Sequence, residues 1–371
     1  MKELEAIALE AGRARAAGKP VALATVVSID GSSYRLPGAR MLIVDGKWTA
    51  GSISGGCLED DVVLRANDAI ARAEPAIARY DTTNDDDIVF GVGLGCKGII
   101  DIFVEPMGAP SPRADFVEFA GSCLRERRHG TAATVIRASG AAPKAGSRLL
   151  VSDRGAITDI EDERFAAELR RVVTGGTGPA RIVSVAVGSA TADVFIEHIE
   201  PALPLVVFGA GHDAVPVVRL AKEIGWHVTL VDHRPAYATV SRFPGADRIV
   251  ITQPAGVAKE VAFDDDTVAL VMTHNYLRDR ELLEMLLASP VQYIGLLGPH
   301  RRANDILRDL REKGVEPTAD RLARLYAPVG LDIGSEGPAE VALSILAEMQ
   351  AVVTQHRGGH LRERKKPIHQ A

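Results

Sequence analysis

The stretch Leu205-Val206-Val207-Phe208-Gly209-Ala210-Gly211-His212-Asp213-Ala214 runs from four apolar residues straight into Gly-x-Gly-x-x-Ala. The apolar run reads as a buried strand, and the glycines suit a tight turn into a helix. Gly209 permits the turn, Gly211 lets a pyrophosphate approach the backbone, and Ala214 keeps the following helix close to the sheet. The helix N-terminus then offers free amides and a positive dipole end to a phosphate. Asp232 closes the next apolar run, at the spacing expected of an acid that accepts hydrogen bonds from a ribose hydroxyl.

The same rhythm continues outward. Continuous apolar strands are expected at 205–208, 227–231, 248–251, 267–272 and 291–297. Helices are expected at 212–224, 278–288, 300–313 and 337–353. Strands of this kind, each followed by a helix, predict a parallel sheet covered on both faces. Residues 201–354 therefore read as a Rossmann-type doubly wound α/β domain. His212 at the loop-to-helix junction, His274 after strand 267–272 and Gly298 after strand 291–297 all belong to its carboxyl-end crevice, where such sheets bind ligands. An imidazole there can contact a ligand or simply cap backbone groups.

Upstream, residues 1–200 lack this rhythm and read as a separate mixed α+β domain. Strands are expected at 21–29, 99–104, 131–137, 147–151, 180–186 and 193–199, with a hairpin about Asp45-Gly46. A Pro- and Gly-rich stretch at 107–112 offers a break between two lobes, and no internal repeat is evident. In Ser54-Gly55-Gly56-Cys57-Leu58-Glu59, Ser54 reads as the N-cap of a helix from 57 to 73, with Cys57 in its first turn. Cys96 follows Gly91-Val92-Gly93-Leu94-Gly95, another loop with little side-chain bulk. Glycine flanks let a ligand reach both sulfurs. Cys123, inside an ordinary helical pattern, reads as a small buried hydrophobe.

The totals exclude several classes. A chain of 371 residues favours two domains, and 46% hydrophobic with 25% charged residues is a globular balance. A net charge of -6 and only 5% aromatics argue against a nucleic-acid-binding surface. Three cysteines make no disulfide framework, and Cys57 and Cys96 are too few for a closed zinc site. The N-terminus has no signal-peptide pattern, and no run of about 18 apolar residues occurs, so a reduced, cytoplasmic chain is expected. Residues 355–371 form a basic tail read as a mobile terminus.

Taken in order, the segments Gly31 to Arg40, Gly51 to Glu59, Gly93 to Cys96, Phe208 to His212, Val231 to Pro235, Thr273-His274, Tyr293 to Gly298 and Pro328 to Gly334 resemble the XdhC/CoxI family. These are maturation factors of xanthine and carbon monoxide dehydrogenases. The resemblance implies an accessory protein rather than a turnover enzyme. It would bind the molybdenum cofactor, as molybdopterin or its dinucleotide form, hold it for sulfuration and deliver it to a molybdenum hydroxylase apoenzyme. It also implies a homodimer and a cysteine desulfurase as a further partner. Carried over by position, the site comprises Cys57, Cys96, Gly209, Gly211, His212, Ala214, Asp232, His274 and Gly298. Lys97 departs from the small residue expected after Cys96, and Gly337 from the hydroxyl cap expected before Pro338. On the glycine loop alone, an NAD(P)-dependent oxidoreductase is the alternative, although no Tyr-x-x-x-Lys pair accompanies the loop.

Overall fold

The computed structural model describes residues 2–31, 33–81, 98–108, 114–174 and 178–364, and the chain divides into compact units at Met1–Pro201 and Ala202–Ala371. The first contains α1 (Lys2–Ala16), β1 (Val21–Gly31), β2 (Arg40–Val44), β3 (Lys47–Gly51), α2 (Glu59–Arg72), β4 (Ala76–Asp81) and β5 (Gly98–Met107). It continues through α3 (Phe116–Arg125), β6 (Gly130–Ser139), β7 (Arg148–Ser152), β8 (Gly155–Thr158), α4 (Glu163–Thr174), β9 (Arg181–Val187) and β10 (Ala190–Ile199). The two halves of this unit have the same order, α-β-β-β-α-β-β. Their sheets also share one topology, β3-β2-β1-β5-β4 and β8-β7-β6-β10-β9.

This is an internal duplication, and it corrects the expectation of no repeat. Once the strands are matched in order, the sequence shows it too. Ala24-Thr25-Val26-Val27 matches Ala133-Thr134-Val135-Ile136, and Gly38-Ala39-Arg40-Met41-Leu42-Ile43 matches Gly146-Ser147-Arg148-Leu149-Leu150-Val151. Asp101-Ile102-Phe103-Val104-Glu105 matches Asp193-Val194-Phe195-Ile196-Glu197. Both halves carry a β-bulge at the same point, where Val27 and Ile136 drop out of register. Conservative exchange and unequal loop lengths hide the repeat from a fixed-period search.

The halves are bonded reciprocally. Arg40, the first residue of β2, pairs with Glu197 on β10, while Arg148, the first of β7, pairs with Glu105 on β5. Each guanidinium also donates to a glycine carbonyl two residues back, Gly38 at 2.8 Å and Gly146 at 3.1 Å. Val27, Phe103, Ile136 and Phe195 form the apolar cluster beside these pairs. The same groups line a small pocket.

The second unit holds β11 (Pro204–Phe208), α5 (Ala214–Glu223), β12 (His227–Asp232), β13 (Arg248–Ile251), α6 (Val257–Glu260), β14 (Val268–Val271) and α7 (Tyr276–Ala288). After these come β15 (Tyr293–Leu296), α8 (His300–Glu312), α9 (Ala319–Ala323), β16 (Leu325–Tyr326) and α10 (Pro338–Val353). Its sheet is ordered β13-β12-β11-β14-β15-β16, with every pairing parallel. That order reverses direction between β11 and β14, the switch point of a doubly wound sheet. Leu205 and Val207 pack under α5 and α10, whereas Val206 and Phe208 pack on the other face with α7 and α8. Burial on both faces explains why β11 shows no polar alternation. At α10, Glu340 accepts the amides of Glu336 and Gly337, which replaces the missing hydroxyl cap.

The Arg40–Glu197 side chains are only 7% and 8% exposed, so removing one partner strands a buried charge. Arg40→Met should destabilise the first unit by about 3–5 kcal/mol, and Arg40→Met/Glu197→Leu should recover much of that. Urea unfolding of wild type and both variants measures the two effects; a double variant as unstable as the single one would contradict this account.

Candidate functional site

The turn after β11 is shaped by a close approach of two backbones. Gly209 has φ +115°, and a Cβ there would lie 2.5 Å from the Met272 carbonyl oxygen at the end of β14. Its amide donates to the Val231 carbonyl at 2.8 Å, and the Met272 amide donates to the Phe208 carbonyl at 2.9 Å. The expected helix from 212 begins at Ala214, which is fully buried against the sheet. Among the described residues, the amides of Gly211, His212 and Asp213 have no partner in the chain. Three unbonded donors at a switch-point turn are groups that can bond an oxyanion. A Cβ on Gly211 would meet the Asp213 carboxylate at 2.3 Å, so this glycine also makes room for that side chain.

Asp232, read from sequence as a ribose acceptor, is engaged within the chain. Its carboxylate accepts from the Ala210 amide at 2.6 Å, the Arg234 amide at 2.8 Å, and Arg234 Nε and Nη2 at 3.0 and 2.8 Å. Burial alone would raise its pKa. The hydrogen bonds from the Arg234 side chain and the two amides outweigh that and hold it down at about 2. Arg234 in turn stacks over the Tyr237 ring, 4.1 Å from its centroid. A ribose hydroxyl must therefore compete with an intramolecular guanidinium.

Across the crevice, His274 adopts φ +58°, a left-handed conformation that costs a non-glycine residue free energy. Its Nε2 lies 2.6 Å from Asp213 Oδ2, joining the loop after β14 to the loop after β11. Next to it, the Thr273 hydroxyl and Arg302 both bind the buried Asp279 carboxylate, while Asn275 caps α7 through the Arg278 amide. Gly298 has φ +135°, and a Cβ there would lie 2.8 Å from Cδ of Arg302. His212 and His300 are exposed at the same edge. Beyond Asp232 the crevice opens into a small cleft, whose polar walls include His233, Arg234, Thr252, Thr273 and Arg278.

In the first unit, the structure corrects the expected cap. Cys57 lies before the helix, which starts at Glu59 with Leu58 at its N-cap. The Ser54 hydroxyl accepts from the amides of Gly56, Cys57 and Leu58 at 3.3, 3.0 and 3.2 Å, and donates to Glu59. Glu59 also accepts the Ser54 amide at 2.9 Å and the Ser52 hydroxyl at 3.0 Å. Burial would raise the Glu59 pKa, and these bonds bring it below the ordinary value. The serine thus ties down a loop whose ends are buried and whose tip, Gly55-Gly56-Cys57, is exposed. Cys96 and Lys97 lie outside the described residues, and Cys123 is buried. Among the described residues, no group of three or more His, Cys, Asp or Glu is placed to hold a metal ion. No helix among them is long and apolar enough to cross a membrane.

Sequence reasoning missed Asp213, Arg234 and Arg278. Arg234 stands two residues after Asp232, a visible proximity, but only the fold turns its guanidinium back onto that carboxylate. Asp213 and His274 are 61 positions apart, and nothing local pairs them.

The second unit is thus a Rossmann-type domain with three unbonded amides at its switch point. Comparison with known proteins narrows this class. Residues 205–349 match the family described as the XdhC Rossmann domain, and residues 14–81 match the XdhC and CoxI family. The chain is 34% identical over 327 residues to a probable xanthine dehydrogenase subunit of Bacillus subtilis, spanning 88% of this chain and 91% of that one. It is 24% identical over 335 residues to the molybdenum cofactor insertion chaperone PaoD of Escherichia coli, spanning 90% and 84% of the two chains. The crystal structure of a xanthine dehydrogenase from Bacillus halodurans superposes with TM-score 0.76 at 26% identity, covering 97% of this chain and 98% of that chain. The chain belongs to the XdhC and CoxI family.

Because the folded pKa of Asp232 is depressed, its stabilisation is full above the ordinary carboxylate value of 3.8 and is lost as pH falls toward about 2. Asp232→Asn should cost on the order of 2 kcal/mol at neutral pH, with the gap to wild type closing across that window. Denaturation curves between about pH 2 and 7 test this, and a gap independent of pH would contradict it. Gly209→Ala should lose a further few kcal/mol through the Met272 clash, seen as a lowered Tm of the second unit.

Proposed function

We propose that this chain holds the molybdenum cofactor while the oxo ligand is exchanged for sulfur, and then hands it to a xanthine-dehydrogenase-like molybdenum hydroxylase. The observation that carries the reading is the set of unbonded amides at Gly211, His212 and Asp213, at the switch point of a family whose relative PaoD is named a molybdenum cofactor insertion chaperone. The cofactor is a phosphorylated pterin dithiolene, and an amide cradle at a helix N-terminus suits its phosphate. When bound, it supplies the redox centre of the enzyme that receives it.

This chain's own residues bind and orient. Gly209 and Gly211 set the cradle, Ala214 seats the helix behind it, and Asp232 braces the turn through the Ala210 amide. His212, His274 and Gly298 border the crevice, with His274 tethered to Asp213. Cys57 presents a thiol on a loop held at both ends, a suitable contact for a metal or sulfur ligand, and Cys96 is proposed for the same role. The reading extends to a cytoplasmic homodimer that works with a cysteine desulfurase. Arg234 on the Asp232 carboxylate disfavours the alternative, NAD(P) chemistry that relies on a free ribose acceptor.

Native mass spectrometry of the apoprotein titrated with molybdenum cofactor and with NAD(H) tests this directly. The expected outcome is near-stoichiometric cofactor binding without NAD(H) binding, and about tenfold weaker cofactor retention in Cys57→Ala. Tight NAD(H) binding with no cofactor bound would overturn the proposal. Unchanged retention in Cys57→Ala would remove that sulfur from the site.

A further inference from the structure

Asp213 stands where a helix cap belongs and does not cap. It is the N-cap residue of α5, yet its side chain accepts no amide of that helix. Aspartate at such a position ordinarily bonds the second or third helical amide. Here one carboxylate oxygen, Oδ2, lies 2.6 Å from His274 Nε2, on the loop after β14. The other, Oδ1, lies against Gly211, where an added Cβ would sit 2.3 Å from it. His274 meets this partner from a left-handed backbone, φ +58°, which is uncommon outside glycine.

The place taken by Oδ1 has a consequence for any ligand of this turn. The second glycine of Gly-x-Gly lacks a Cβ so that a phosphate can come up to the backbone. In this chain the space beside that glycine already holds a carboxylate. The positive end of α5 and the unbonded amides of Gly211, His212 and Asp213 favour an anion, and the chain supplies one of its own. A phosphate brought to Gly211 meets the bulk of that carboxylate and, at a few ångströms, its like charge. An untethered aspartate turns aside by a change of rotamer. This one must first give up the hydrogen bond it accepts from the imidazole, and bonds to a carboxylate are among the stronger ones.

We propose that Asp213 is an internal anion that closes the switch-point turn to phosphate groups, and that His274 is the latch holding it there. The inference rests on the cofactor reading above and adds a regulation of the same site. A phosphate reaches the backbone at Gly211 only after the Asp213–His274 bond breaks and the carboxylate swings away. The gate discriminates by charge as well as by size, because what it sets against an incoming ligand is a carboxylate.

Isothermal titration of the full chain with inorganic pyrophosphate, at fixed ionic strength, tests the gate. Asp213→Asn removes the charge at nearly constant shape, and Asp213→Ala removes charge and bulk together. Neither change takes a cap from α5, since the side chain makes none. Both variants should bind pyrophosphate about tenfold or more tightly than wild type. Asp265→Asn makes the same charge change just before β14, at the opposite end of that strand, and should bind as wild type. His274→Gly keeps a left-handed backbone available; it should tighten binding in the wild-type background and change nothing in Asp213→Ala. Affinity no higher than wild type in both Asp213 variants would overturn the gate. An equal effect of His274→Gly in both backgrounds would overturn the latch. Tighter pyrophosphate binding by the Asp213 variants, with no chain retaining molybdenum cofactor, would leave the gate and remove the cofactor reading. Cofactor retained equally by wild type and Asp213→Ala, with pyrophosphate binding unchanged, would do the reverse.

Discussion

Everything at the switch point depends on the absence of one side chain. With no Cβ at Gly209, the end of β11 can lie against the Met272 carbonyl of β14, closer than any L side chain permits. That approach keeps the two central strands of the sheet paired to their last residues, and the amides that follow, at Gly211, His212 and Asp213, are left unbonded among the described residues. Asp232 then locks the turn from the β12 side through the Ala210 amide, and His274 locks it from the β14 side through Asp213. The crevice is thus a product of three strand ends held together by bonds within the chain. Pre-organisation of this kind lowers the ordering cost of binding.

The first unit is organised by a different constraint. Its two halves repeat one topology, and each half offers an arginine at the start of its second strand and a glutamate near the end of its last. Neither arginine finds its glutamate within its own half. Burying such groups is tolerable only when the other half is present, so the ion pairs work as mutual specificity contacts as much as stabilising ones. The halves have diverged where they are free to do so. After β3 the first half carries the Ser54–Glu59 clasp and the exposed tip with Cys57. The matching connection after β8 holds Asp162, whose carboxylate accepts amides at the start of α4.

Much of this is legible in the residues. The Rossmann domain follows from continuous apolar strands and from Gly209-Ala210-Gly211, and the family resemblance agrees with the domain matches at residues 14–81 and 205–349. The duplication is legible in principle, in Asp-[Ile/Val]-Phe-[Val/Ile]-Glu at 101–105 and 193–197, but unequal loops break its spacing, so only the shared topology brings it out. The expected cap at Ser54 fails for a physical reason. A serine before a helix normally satisfies the first helical amides, whereas here Glu59 folds back onto Ser54 and the hydroxyl serves the loop instead.

By itself the sequence determined the sheet class of the second unit and the position of its glycine turn, since these follow from local periodicity and from residues with restricted backbones. Only the tertiary structure decided what the charged groups do. Asp232 faces Arg234, Asp213 faces His274, and Arg278 faces no carboxylate at all among the described residues. Electrostatic partners are set by distances of a few ångströms in space, over which strand order and helix start matter more than chain separation.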